Sequence, residues 1–428
     1  MKFFPDIEKQ SAEVITDFQS NALIQLLNYV HLQSPFYKQH FAAHKLDVKT
    51  VTGVKDLHLI PPTTKDDMQK FNWDFLCVPK NKIIEYVSTS GTLGKPVTIA
   101  LTENDLQRLA YNEAISFACA ELNNQDIFQL MLTLDRQFMA GIAYHEGARK
   151  LGAGIVRIGP GLPALQWQTI ESLKPTVLIG VPSFILKLID FAVQNRIEYQ
   201  NTSVKTIICI GEAIRLPDLT FNTLGDRIKK AWDVRLVSTY ASTEMQTAFT
   251  ECIQGKGGHL HPELLILEIL NDQNLPVAAG EIGEITITTL GVEGMPLIRY
   301  KTGDLATVFS GPCACGRNTV RISPIVGRKQ QMLKIKGTTF YPQALFTILQ
   351  ATDRVKDFVV EVRTGGGQDE LKIFVYAEGE RETKALLEER FKAHLRMVPD
   401  IRFVEQSEID KMQTQSGSRK IQKFVDNR

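Results

Sequence analysis

The sequence predicts an α/β protein, a large body of alternating strands and helices followed by a small α+β domain. Two observations carry this. Between residues 83 and 310, short β-rich runs (IIEYVS, IFQLMLTL, GAGIVRI, PTVLIGV, VKTIICIG, VRLVSTYA, EITITTL) alternate with helix-length segments such as PSFILKLIDFAVQNRI and LPDLTFNTLGDRIKKAW. Several of the runs are apolar on both faces, as parallel strands covered by helices are, and repeated strand–helix units build a layered α/β body. After residue 327 the texture changes. DFVVEVRT, ELKIFVYAEG and IRFVEQSE read as strands, RETKALLEERFKAHLRMV as a charged amphipathic helix and TGGGQD as a hairpin turn.

Taken in order, residues 1–80 are helical: ALIQLLNYVHLQSPFYKQHF keeps helical apolar spacing until Ser34-Pro35 stops it. The expected organisation is a helical region (1–80) packing on the main domain, an α/β domain (81–327) and a small C-terminal α+β domain (328–428). The 428 residues carry 49 Lys+Arg and 48 Asp+Glu, a formal charge of +1. That balance argues against a general grip on nucleic acid or an anionic membrane, which needs clustered positive charge. No apolar run approaches the roughly 20 residues of a membrane span, and MKFFPDIEKQSAEV lacks a signal peptide's apolar stretch. A soluble, cytoplasmic protein is expected.

Six cysteines in such a chain are not a disulfide framework. Cys77, Cys119 and Cys209 sit in apolar company and read as core. Cys252 and His259 form a C-x6-H spacing in a glycine-rich loop, and Cys313 and Cys315 a C-x-C knuckle. Three thiols and an imidazole are a common structural zinc set, with His261 as an alternative to His259. Four protein ligands leave no open position, so the zinc expected here is a clamp and not a catalyst. Two unrelated reduced loops are the plainer reading of the same residues.

The segment STSGTLGKP, residues 88–96, lies between two strand-like runs. Its Ser88, Ser90, Gly91, Thr92 and Gly94 combine hydroxyls, backbone N–H groups and close-approach glycines, and Lys95 adds a mobile charge. A phosphate cradle is the functional reading and an ordinary Ser/Gly turn the bland one. The P-loop pattern is not met, since Pro96 follows the lysine.

STSGTLGKP resembles the phosphate loop of adenylate-forming enzymes. GEAIRLP (211–217), TYASTE (239–244), RYKTGDLA (299–306) and VGRKQQMLKIKG (326–337) are similar to four further motifs of that superfamily, in its order. The length, the SPFY near the N-terminus and the GRxxxMLxIxGxxxxP stretch resemble the phenylacetate-CoA ligase family. The resemblance implies the superfamily's fold, a large N-terminal domain with a small mobile C-terminal domain. It also implies a two-step reaction, in which a carboxylate attacks the α-phosphate of ATP and the thiol of coenzyme A then takes the acyl group. By the same resemblance Gly211, Glu212, Ala213, Tyr240, Ala241 and Ser242 belong to the ATP/AMP site, with the 211–217 loop and Tyr240 against adenine; Asp304 accepts the ribose hydroxyls, and Arg328 suits ribose or phosphate. Thr243 faces the α-phosphate and Glu244 is a hard ligand for Mg²⁺. Lys420 falls at the catalytic lysine, with Lys423 as the other lysine to weigh. Phe138, Gly141, Tyr144 and His145 fall where the branch lines its acid pocket. Departures are Ala241 for glycine, Lys301 for arginine, Gln330-Gln331 at the hinge and Arg419 before the lysine.

The reading is therefore an ATP-dependent acid-CoA ligase for a small carboxylic acid, aromatic by resemblance, with coenzyme A and the acid as partners and a homodimer as an option. An adenylating enzyme that passes the acyl group to a carrier protein or an amine is the alternative within the fold. An inactive, zinc-stabilised nucleotide-binding module is the alternative outside it.

Overall fold

The runs apolar on both faces become the parallel half of a nine-stranded sheet. Gly154–Arg157, Ile127–Leu130, Val177–Gly180, Thr206–Cys209 and Arg235–Ser242 lie side by side and parallel. Alternation along each strand sends its side chains to two cores. Leu178, Ile207 and Cys209 pack with Trp167, Ile185 and Trp232, whereas Val177, Ile179 and Ile208 pack with Phe117, Phe128 and Tyr144. The covering helices start and stop where local chemistry directs. Pro163–Leu173 and Pro182–Gln194 open with proline, whose missing N–H costs nothing in a first turn. Thr102 and Asp105 form a capping box on Glu103–Cys119. Gly152, at φ 82°, closes Met139–Leu151. This computed structural model describes residues 4–89, 96–335, 338–365, 368–414 and 422–428, with the side chains of 365 and 368 excepted.

Beyond Arg235–Ser242 the sheet turns antiparallel through Thr247–Glu251, Gly258–His259, Arg321–Ile322 and Val308–Phe309. A second, four-stranded antiparallel sheet takes Leu265–Leu270, Gly283–Thr289, Tyr300–Ala306 and Gly327–Arg328. EITITTL, apart from Leu290, falls in Gly283–Thr289, a strand of this antiparallel sheet. All seven residues of that strand are buried, the polar Glu284, Thr286 and Thr288 as well as Ile285 and Ile287, although their alternation is the pattern of a strand with one buried face. LPDLTFNTLGDRIKKAW likewise yields only the helix Thr223–Ala231, capped by Asn222, because the chain before it turns with Leu219 at φ 71°.

The N-terminal helices Ala12–Gln33 and Pro35–Ala43 share one core with the second sheet, with Leu23, Leu27, Val30, Phe36 and Tyr37 packing in the cluster of Ile285, Ile287 and Leu297. The C-terminal region has its own core. Asp400–Phe403, Gln368–Ala377, Val355–Gly365 and Phe424–Asn427 form a sheet beneath the helices Pro342–Gln350 and Glu380–Leu395. The tip of the TGGGQD turn, residues 366–367, lies outside the described residues. Among the described residues no helix is long and apolar enough to cross a membrane.

Candidate nucleotide site and cysteine knuckle

Parallel strands point their carboxyl ends to one edge of a sheet, and the loops leaving that edge gather there. Phe138 to His145 follow Ile127–Leu130, Ser183 follows Val177–Gly180, Gly211, Glu212 and Ala213 follow Thr206–Cys209, and Tyr240, Ala241 and Ser242 end Arg235–Ser242. Gly211 turns the chain with φ 77°. The Glu212 carboxylate accepts the Ser183 N–H at 2.8 Å, in the first turn of Pro182–Gln194, where a helix favours negative charge. Arg215 ties the same loop to Glu251 through 2.8 and 3.0 Å contacts to the two carboxylate oxygens.

Across the edge stands the second sheet. The Tyr240 hydroxyl donates to Asp304 Oδ2 at 2.8 Å, and Arg328 Nε donates to Oδ1 at 3.0 Å. Asp304 and Arg328 face each other in strand register, which fixes the pair. Burial first, then the Asp304 carboxylate, holds the Tyr240 hydroxyl well above its ordinary pKa, so it remains a donor. Burial and the carboxylates of Glu244 and Asp304 do the same to Tyr300. Glu244, Tyr300, Asp304, Tyr240 and Arg328 thus form one polar cluster between the sheets. Thr243 and Glu244 open a turn joining two antiparallel strands, in which Ser242 Oγ accepts the Met245 N–H at 3.3 Å and Gln246 takes φ 51°. Both keep partial exposure, and Ala241 is exposed.

The expected acid-pocket residues divide. Gly141 is required by packing, since a Cβ there would lie 2.1 Å from the Thr133 carbonyl oxygen. Tyr144 is buried in the core, 6.0 Å from Phe117 between ring centres. Phe138 and His145 retain exposed surface, with His145 Nδ1 3.0 Å from Glu146. Ser88 is buried at the end of Ile83–Ser88 and donates to the Thr89 carbonyl at 3.1 Å. Ser90, Gly91, Thr92, Gly94, Lys95 and Lys420 lie outside the described residues. Lys423 is described, and its Nζ stands 3.7 Å from Glu212 Oε1.

The fold brings both halves of the cysteine pattern together. Cys252 leaves one strand of the antiparallel extension, His259 ends the next, and Cys313 and Cys315 lie in the hairpin of the following pair. Their four ligand atoms lie within 4.8 Å of one another. Zinc bonds of about 2.3 Å to sulfur and about 2.0 Å to nitrogen imply tetrahedral edges of about 3.7 Å and about 3.5 Å. Cys252 and Cys313 Sγ are 3.7 Å apart, and Cys315 Sγ is 3.6 Å from His259 Nε2, so the donor set fits zinc. The Thr319 hydroxyl, 2.9 Å from His259 Nδ1, orients the ring. A hydrogen bond from Cys252, then His259 and Arg317, lowers the Cys315 pKa towards the thiolate. His261 lies elsewhere, between Glu8 and Ser116. Cys119 is buried as core, and the core it fills is the one beside Cys252 and Cys313. The sequence reading missed Glu8 and Arg215. Nothing local marks Glu8, whose partner Arg317 is distant in sequence, whereas the guanidinium of Arg215 inside GEAIRLP was a visible signal.

The chain matches the AMP-binding enzyme family over residues 9–294. It is 28% identical over 387 residues to the phenylacetate-coenzyme A ligase of Thermus thermophilus, covering 88% of this chain and 84% of that one. Among solved structures, 2-hydroxyisobutyryl-CoA ligase has the same fold at 20% identity, and the match covers 99% of this chain and 92% of that one. Its TM-score is 0.86 in the postadenylation state with 2-HIB-AMP. In the thioesterification state with 2-HIB-AMP and CoA it is 0.73, at 21% identity and the same coverage.

Proposed function

This chain belongs to the AMP-binding enzyme family, and from that premise we propose that it is an ATP-dependent acid-CoA ligase. It joins a small carboxylic acid to AMP and then passes the acyl group to coenzyme A. The observation that carries the reading is the cluster of Asp304, Tyr240, Arg328, Tyr300 and Glu244 at the carboxyl edge of the parallel strands. It offers a fixed carboxylate, aromatic rings and a partly exposed acid in one place. Those groups answer the ribose hydroxyls, the adenine and the metal–phosphate end of ATP.

In this reading Asp304 accepts the ribose hydroxyls with the lone pairs that Tyr240 and Arg328 leave free. Gly211 to Ala213 and Tyr240 to Ser242 wall the adenine. Thr243 donates to the α-phosphate, and Glu244 would hold Mg²⁺, which neutralises charge on phosphate oxygens. Ser88 precedes the STSGTLGKP residues Ser90, Gly91, Thr92, Gly94 and Lys95, which would bind the leaving pyrophosphate, and Lys420 would supply positive charge where the acid attacks. The chain's work is positioning and charge stabilisation, as in phosphoryl transfer. Phe138 and His145, which keep exposed surface, face the acid. The similarity to phenylacetate-coenzyme A ligase supports an aromatic one. Residues 1–80, 81–327 and 328–428 are the functional divisions, the last moving between half-reactions. Cys252, His259, Cys313 and Cys315 would bind zinc as a structural clamp.

A panel of carboxylates assayed for pyrophosphate release tests the reading, with aromatic acids expected to be the best substrates. Release from no acid would end it. Release with AMP formed on a carrier or an amine but never on coenzyme A would replace the acceptor. Lys420→Ala should suppress adenylation far more than thioester formation from supplied acyl adenylate, and equal loss in both would withdraw its role.

A further inference from the structure

Lys423 begins the last stretch of the chain and is rigidly mounted. Its carbonyl accepts the Val360 N–H at 2.9 Å, the strand Phe424–Asn427 that follows pairs in parallel with Val355–Gly365, and its ammonium lies 5.1 Å from the centre of the Phe358 ring. These contacts all lie within the C-terminal region. Its one ionic partner among the described residues does not: Glu212 belongs to the loop leaving the parallel strand Thr206–Cys209. That carboxylate is fixed from its own side, because its second oxygen accepts the Ser183 N–H at 2.8 Å. Two rigid mounts, one in each body, therefore meet at 3.7 Å, with the two side chains 17% and 24% exposed. Beside the pair opens an interdomain cleft of about 490 Å³, lined by Lys423, Ser183, Lys187 and Arg227.

We propose that Lys423 is a positioning residue for the adenylation half-reaction: by gripping Glu212 it latches the small domain over the nucleotide loop and lets go when that domain turns. The inference rests on the ligase reading above and adds to it a defined contact that one half-reaction uses and the other does not. A rotation of the C-terminal region cannot keep the pair, since neither mount can follow the other. The arrangement seen here overlays better on the postadenylation form of 2-hydroxyisobutyryl-CoA ligase than on its thioesterification form. A single partly exposed ion pair suits a latch. It biases an equilibrium by about fivefold without freezing it, whereas a fully buried pair would hold one arrangement.

The test uses the full chain and two variants. Lys423→Met keeps an aliphatic stem against Phe358 and removes the charge, and Lys423→Arg keeps the charge. Carboxylate-driven pyrophosphate release should fall about fivefold in Lys423→Met and recover in Lys423→Arg, while thioester formation from supplied acyl adenylate and coenzyme A does not fall. Independently of catalysis, amide hydrogen exchange in peptides spanning 206–217 and 422–428 should quicken in Lys423→Met alone. Unchanged exchange in both peptides overturns the latch whatever the kinetics show. Equal losses in the two half-reactions overturn it as well, because a merely structural lysine would give that result. Quickened exchange in a protein that activates no carboxylate keeps the latch and removes the ligase reading instead.

Discussion

On one side of the proposed nucleotide site, Arg215 meets Glu251 with side chains 12% and 3% exposed, and Arg317 meets Glu8 at 2% and 0%. On the other, Arg328 meets Asp304 at 38% and 11%, and Lys329 meets Asp272 at 39% and 77%. The chemistry is the same and the depth differs. Removing one partner of a buried pair strands a charge away from water, at about 3–5 kcal/mol, while an exposed partner returns to solvent for about 0–1 kcal/mol. The first side lies wholly in the large body, and the second is the junction with the small domain. Buried pairs suit a permanent joint, and wet ones suit a joint that exchanges.

The largest effect should come from the most buried of these carboxylates. Glu8 receives Arg317 Nε at 2.6 Å and lies against His261 Nδ1 at 2.5 Å. Burial alone would raise its pKa, but the charges and hydrogen bonds of His261 and Arg317 outweigh that and lower it. Glu8→Ala leaves Arg317 buried without its partner and should cost about 3–5 kcal/mol in denaturant unfolding. A loss under about 1 kcal/mol would erase the distinction between the two sides.

Glu113 sharpens the comparison, being as buried as these but with no cationic partner among the described residues. Desolvation raises its pKa from 4.5 to about 8, opposed only by a 3.0 Å hydrogen bond from Asn112. The folded chain therefore keeps a proton that the unfolded chain releases. The sign follows: this contribution to stability is complete below about pH 4.5 and is lost as pH rises towards about 8, at up to about 1.4 kcal/mol per unit. Glu113→Gln removes the titration and keeps the shape, so its stability should gain steadily on the unaltered protein between pH 5 and 8. Parallel stability–pH curves for the two proteins would show that Glu113 ionises at no cost.

The difference in depth also sorts what the sequence made legible. The parallel strands were readable because burial on both faces writes an unbroken apolar run, and the cysteine set because thiols in glycine loops are chemically conspicuous. The full burial of Gly283–Thr289 was not, since its alternation of Ile with Glu and Thr writes the pattern of a strand buried on one face only. Asp304, Tyr240 and Arg328 were each put forward from their motifs. Their mutual contacts were not readable, because they depend on strand register and on how two sheets meet. Glu8 carried no local mark at all, for DIEK is an ordinary acidic–basic turn and its partners join only through tertiary packing.

Asp304→Ala is next in size and should part binding from folding. Its loss removes a charged acceptor from the proposed ribose site, worth about 1.5–3 kcal/mol or a roughly 10- to 100-fold weaker affinity for AMP by calorimetry. Arg328, 38% exposed, can rehydrate, so stability should change by about 1 kcal/mol or less. Unchanged AMP affinity would remove Asp304 from the site.

Lys329 should give the smallest effect, and for that reason tests the wet side most directly. Its ammonium lies 2.7 Å from Asp272 and 3.2 Å from Glu284. Asp272 is mostly exposed, and Glu284, although buried, keeps Lys301 at 3.1 Å when Lys329 is truncated. No charge is stranded, so Lys329→Ala should lower stability by about 0–1 kcal/mol, and less in high salt. Lys329, between Arg328 and the expected hinge at Gln330-Gln331, would then be held by contacts weak enough to exchange if the small domain turns as proposed. A loss matching that of Glu8→Ala would mean that the junction is as fixed as the body, and a domain rotation about it would carry a barrier that these ion pairs otherwise spare it.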